Sequence, residues 1–129
     1  MDERKAVVKY VIMFTSIPEQ DAQVPAEVRG ANYAEIYRWF QDNAAAISDS
    51  GAELQPITTA TTVAYGEEGP VVTDGPFSEA KEVIGGFSVI DVADLDAAIA
   101  LVRTWPSLAL PGTAVEIRPM VTDYSQFEQ

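Results

Sequence analysis

The sequence predicts a small α+β domain in which two helices cover one face of an antiparallel sheet. Apolar residues change period along the chain, from β-branched or alternating runs near both ends to a three-and-four spacing between about residues 26 and 50 and again after Asp94. The element order read from those changes is strand, helix, strand or hairpin, strand, helix, strand. Counting the hairpin as an excursion, that is the βαββαβ order of a split βαβ fold. Length adds a third constraint: 129 residues with 47% apolar content suffice for one core and are too few for two, so a single domain over residues 1–129 is expected.

Val7-Val8-Lys9-Tyr10-Val11-Ile12-Met13-Phe14 is β-branched and aromatic and reads as the first strand, ending before Pro18. Both of its faces are mostly apolar, so helices must cover one and a second subunit's sheet is expected over the other. Ser16 to Pro25 is polar with two prolines, a loop of the kind that borders sites. From about Ala26 to Ser50, Tyr33, Ile36, Tyr37, Phe40, Ala44 and Ile47 follow helical spacing, and Gly51 stands where a left-handed C-terminal cap is expected. Gly30 and Asn32 weaken the first turns, so the helix is expected to start nearer Asn32 than Glu27, with Trp39 at the edge of the stripe or in a subunit contact.

Glu53 to Tyr65 and Pro70 to Thr73, joined by Gly66-Glu67-Glu68-Gly69, read as a hairpin with a proline-marked edge. Val83 to Val92 is a central strand in which Phe87 and Val89 oppose Ser88 and Ile90, with Gly85-Gly86 marking a bulge or close approach. Asp94 caps a second helix carrying Leu95, Ala98, Ile99 and Val102, which Pro106 stops. Ala114 to Arg118 alternates as the last strand.

Composition excludes several chemistries. With 20 acidic and 8 basic residues the formal charge is −12, opposite to what phosphate neutralisation needs, so nucleic acid is not an expected partner. No cysteine and no histidine are present, which removes thiol catalysis and the side chains that most often ligate transition metals. The carboxylates form no calcium-loop pattern, so neither metal nor cofactor is expected. The apolar run from Ala6 to Phe14, broken by Lys9, is too short for a signal peptide or a membrane span, and a cytoplasmic protein without membrane partners is the expectation.

Thr73-Asp74-Gly75-Pro76-Phe77-Ser78-Glu79-Ala80-Lys81-Glu82-Val83-Ile84-Gly85-Gly86-Phe87 carries the densest signal. Asp74-Gly75-Pro76-Phe77 reads either as a turn, with Asp and Gly shaping it and Phe77 anchoring it, or as an acid projecting from a strand end into a cleft. Ser78 to Glu82 reads either as one capped, solvated helical turn or as a setting for Lys81, the sole basic residue between Arg38 and Arg103 in this chain. With Thr59-Ala60-Thr61-Thr62-Val63 before it and Ile90-Asp91-Val92-Ala93-Asp94-Leu95-Asp96 after it, the run resembles the DGPF branch of the YCII-related proteins over most of the chain.

That resemblance implies a ferredoxin-like βαββαβ domain that pairs as a dimeric α/β barrel. The wider group is credited with a His–Asp pair at a cleft; with no histidine here, only the aspartate carries over, to Asp74. Asp74 and Lys81 are accordingly the candidate catalytic residues, with Tyr10, Tyr37, Phe77 and Glu79 as candidate substrate contacts in a cleft between the sheet and the first helix. Tyr10, Tyr33 and Tyr37 are the residues able to lend a hydroxyl there, and each also suits an apolar stripe.

Three functions fit these readings. One is a metal-independent lyase or isomerase acting on a small organic molecule. The second is a small-molecule binding or sensing module, linked by the resemblance to transcription regulation. The third is a homodimeric interaction protein. An enclosed pocket reaching Asp74 favours the first two, and a filled cleft with exposed apolar patches favours the third.

Overall fold

Alternating side chains and two caps account for most of the architecture. The computed structural model describes residues 7–76 and 81–127. In chain order it contains β1 (Val8–Ser16), a single-turn α1 (Pro18–Asp21), α2 (Ala26–Asp42), β2 (Ile47–Glu53), β3 (Thr61–Ala64), β4 (Val71–Asp74), β5 (Val83–Val92), α3 (Leu95–Val102) and β6 (Ala114–Pro119). Short 3-10 turns occupy Ile57–Thr59, Pro106–Ala109 and Tyr124–Phe127.

β2, β5, β1 and β6 form an antiparallel sheet in that spatial order, and β3 pairs with β4 in a separate two-stranded sheet. The fold is α+β, and β5 is central as its apolar content requires. Along β1 the pleat sends Tyr10, Ile12 and Phe14 to one side. There they meet Ile90 of β5, Trp39 of α2, Ala98 and Val102 of α3, and Trp105, which together form the core. Ile12 and Ile90 are fully buried, and each contributes about 1.5–3 kcal/mol relative to an exposed side chain. Both long helices therefore lie on the same face of the sheet. The opposite face carries Lys9, Val11 and Met13 of β1 paired with Asp91, Val89 and Phe87 of β5.

α2 departs from the expected helix at both ends. It begins at Ala26, directly after Pro25 in extended conformation, and not near Asn32. It ends at Asp42, because the Asn43 backbone N–H and side-chain Nδ2 both donate to the Trp39 carbonyl, at 3.0 and 2.8 Å. The helical spacing of Ala44 and Ile47 is a coincidence: a turn intervenes, and Ile47 starts the edge strand β2. The buried stripe is also rotated. Trp39 occupies the core at 5% exposure, with Ile36 and Phe40 packed beside it, while Tyr33 and Tyr37 stay outside it at 49% and 69% exposure.

Gly51 is not a helix cap but the bend inside β2. Its φ is +70°, and a β-carbon there would sit 1.8 Å from the Phe87 carbonyl oxygen, so the two strands can approach only with glycine at this position. Extra residues in β2 on either side of Asp49 shift its register against β5. A further bulge lies where Phe14 pairs with Gly86 and Thr15 with Ile84, leaving Gly85 unpaired, as the tandem glycines predicted. Buried Ser88 donates to the Ser50 carbonyl at 2.7 Å, which satisfies its hydroxyl and ties β5 to the bent strand. Asp94 caps α3 by accepting from the Ala97 N–H at 2.8 Å. Among the described residues no helix is long and apolar enough to cross a membrane.

Candidate functional site

The bends in β2 and the bulge at Gly85 hold one corner of the sheet away from α2, and a cavity of about 410 Å³ lies between them. Its floor is aromatic. Phe14 stacks on Trp105 with ring centroids 4.1 Å apart, and Phe40 meets the same indole edge-on at 5.9 Å. Trp39 braces Trp105 from behind, edge-on at 5.0 Å, while its Nε1 donates to the Thr104 hydroxyl at 2.7 Å. These contacts fix the rings before anything enters, because aromatic pairs in such geometries add to the stabilisation from burial alone.

The mouth is polar. From α2, the Tyr33 hydroxyl donates to Glu53 Oε2 across the cleft at 2.8 Å. One turn earlier, Arg29 Nη2 donates to the main-chain carbonyl of Asp21 at 2.5 Å, pinning the loop after α1. Asn32 Nδ2 donates to the Ser107 hydroxyl at 2.8 Å and closes the side formed by the Pro106–Ala109 turn. Ser16, Asp21 and Val24, from the loop that the prolines predicted, also line the cavity. The hydrogen bond to Glu53 pushes the Tyr33 phenol above its ordinary value of 10.0, with burial and the nearby carboxylate charge adding to the shift. Tyr33 is therefore held protonated, as a donor, and the second carboxylate oxygen of Glu53 is free of that bond.

Arg29, Tyr33 and Glu53 sit at the mouth of one apolar cleft, a common design for small-molecule sites: an apolar body with a few convergent polar groups. What the arrangement can do chemically is to shelter a flat apolar group on the Phe14–Trp105 stack and to exchange hydrogen bonds with it at the mouth.

Four of the residues singled out in the sequence lie away from this cleft. Tyr10 is 6% exposed and belongs to the core, because its place in the β1 pleat points it at the helices beyond the cleft. Tyr37 lies on the outward side of α2. Asp74 ends β4, opposite Thr61 in the two-stranded sheet, and Lys81 is exposed just before β5. None of these four lines the cavity. Among the described residues the ion pairs are Lys9–Asp91 and Arg118–Glu116, so Asp74 and Lys81 are not joined in one. Phe77 and Glu79 lie outside the described residues. What the motif does show is turn chemistry: Gly75 has φ +127°, donates to the Ala60 carbonyl at 2.8 Å and accepts from the Thr62 hydroxyl at 2.7 Å.

Of the three tyrosines able to lend a hydroxyl, only Tyr33 reaches the cleft. Glu53, Arg29 and Trp105 carried no signal of their own in the sequence. Glu53 reaches the mouth only through the bends of β2, an element that the helical spacing concealed.

The family profile of the YCII-related domain matches residues 8–121, which takes in every element of the four-stranded sheet, both long helices and the cleft between them. An uncharacterized protein of Rhizobium meliloti (strain 1021) is 43% identical over 70 residues, a stretch covering 54% of this chain and 56% of that relative. With the profile spanning the whole sheet and its helices, the chain belongs to the YCII-related domain family.

Proposed function

We propose that this protein binds a small organic molecule in the cleft between the sheet and α2, and that it does so as a homodimer. The observation that carries the proposal is the preformed aromatic floor of Phe14, Phe40 and Trp105 beneath a mouth of fixed hydrogen-bonding groups. A cavity of about 410 Å³ is within the usual range for small-ligand sites and suits a molecule of one or two rings. Binding is favoured over a lyase or isomerase reaction because the candidate catalytic pair, Asp74 and Lys81, lies off the cleft lining.

The strand order β2-β5-β1-β6, with α2 following β1 and α3 following β5, supports a ferredoxin-like assignment, and the Asp74-Gly75-Pro76-Phe77 run supports the DGPF branch of the family. Dimerisation through the open sheet face, to form an α/β barrel, is favoured by Val11, Met13, Phe87 and Val89. They make an apolar strip on the side that no helix covers among the described residues, with Phe87 38% exposed.

Protein-observed NMR with a library of neutral one- and two-ring fragments tests the site. The expected result is a set of fragments that shift the Trp105 indole N–H and the amides of Ser50 to Glu53, while the β3 and β4 amides stay unmoved. Shifts confined to surfaces outside the cleft would remove the proposal.

A further inference from the structure

We infer that the ligand of this cleft is an organic cation, a protonated amine carried on a flat apolar body, with Glu53 as its counter-charge. The inference rests on the reading of the cleft as a small-molecule site and adds the chemical class of the occupant.

Three observations converge on it. First, among the described residues the charged groups lining the cavity are Asp21, Arg29 and Glu53, two acids against one base. Arg29 donates through Nη2 to the Asp21 carbonyl, which holds its guanidinium at the edge of the cavity. Glu53, by contrast, accepts one hydrogen bond from Tyr33 through Oε2, which fixes the carboxylate's orientation and leaves its other oxygen to accept from a ligand. Second, the floor beneath the mouth is built of the Phe14–Trp105 stack and the Phe40 edge, and an ammonium beside aromatic faces gains attraction from the ring quadrupoles. Third, the whole chain carries a formal charge of −12, so its field concentrates cations at a carboxylate-bearing cleft and disfavours anions there.

An anionic ligand would sit beside two carboxylates, Glu53 and Asp21, with Arg29 as its single cationic partner among the described lining residues. A neutral ligand would gain the floor and a hydrogen bond at the mouth without the charge assistance. Tyr33 is a positioning residue in this arrangement, since its hydroxyl acts on the ligand through Glu53.

The test compares three probes that share one ring and differ in the polar end: 2-phenylethylamine, 2-phenylethanol and phenylacetate, titrated at neutral pH and followed by the Trp105 indole N–H resonance. The amine is expected to bind about tenfold or more tightly than the alcohol, the scale of one added charge-assisted hydrogen bond, with phenylacetate weakest. Glu53→Gln should bring the amine to within about twofold of the alcohol, with the amine losing far more affinity than the alcohol. Glu53 is exposed, so this variant keeps the fold, and Tyr33→Phe should weaken amine binding less than Glu53→Gln does. Equal binding of amine and alcohol in the cleft, or a preference for phenylacetate, would overturn the cation assignment and leave the cleft reading standing. If none of the three perturbs the Trp105 resonance, and neutral fragments fail as well, both readings fall together.

Discussion

Single residues set the cleft's geometry through constraints that are local and strict. Gly51 is the clearest: at φ +70°, with the Phe87 carbonyl 1.8 Å from any added β-carbon, Gly51→Ala must open the β2–β5 ladder or strain the backbone. A loss of about 2 kcal/mol or more in urea unfolding is expected, together with loss of fragment binding, because Ser50 to Glu53 would leave the mouth. A variant as stable as the parent would contradict the bend. Tyr33 offers a second, pH-resolved reading. Its phenol is raised above 10.0 chiefly by the hydrogen bond to Glu53, so the stabilisation from this contact is whole below that value and disappears as pH climbs through the raised one. Glu53→Gln should move the Tyr33 titration back toward 10.0, as resolved by difference absorbance against Tyr33→Phe. An unchanged titration would show that the carboxylate is not its partner.

At the scale of elements, the open face of the sheet is organised by the pairing of β1 with β5. Lys9 stands directly opposite Asp91, and its Nζ donates to both carboxylate oxygens at 3.0 Å. That hydrogen bond is the main cause that draws the Asp91 carboxyl below its ordinary 3.8, with a smaller contribution from Ser48 and from the Lys9 charge. A lowered aspartate stabilises the fold above its unfolded value, and the contribution is lost as pH falls through the folded one. Asp91→Asn should therefore cost stability at neutral pH, about 1 kcal/mol or less for a pair so open to solvent, and the difference from the parent should close as pH drops below 3.8. Thermal melts at several pH values and salt concentrations measure it. A gap that persists in acid would assign the effect to packing.

Among the described residues no helix covers the second face of the sheet, and the apolar strip of Val11, Met13, Phe87 and Val89 runs through that face. A second copy would bury the strip, and stable interfaces of this kind typically remove about 1,200–2,000 Å² from solvent. Light scattering at micromolar concentration should give twice the chain mass, and Met13→Lys, which places a charge amid the strip, should halve it while the Trp39–Trp105 core stays folded by near-ultraviolet dichroism. A folded monomeric parent would refute the pairing and leave the cleft, on the other face, untouched.

The sequence by itself determined the elements whose stability is local or whose pattern is strong. β1, β5 and β6 follow from β-branched alternation, the hairpin from its Gly66–Gly69 turn, α3 from Asp94 and Pro106, and the bulge from Gly85-Gly86; together with the motif run they gave the α+β class and the family. β2 was legible only afterwards, since Ile47-Ser48-Asp49-Ser50-Gly51-Ala52-Glu53 has weak strand propensity and continues a helical spacing. Asn43, which bonds back to the Trp39 carbonyl, was the local stop signal. Tertiary structure alone decided that this segment pairs with β5, which face of α2 is buried, and hence that Tyr33 meets Glu53, twenty residues away in sequence, above the Phe14–Trp105 stack. The physical reason is that an edge strand is stabilised by the ladder it joins and a cleft by the space its walls leave open, and neither quantity is encoded within any window of neighbouring residues.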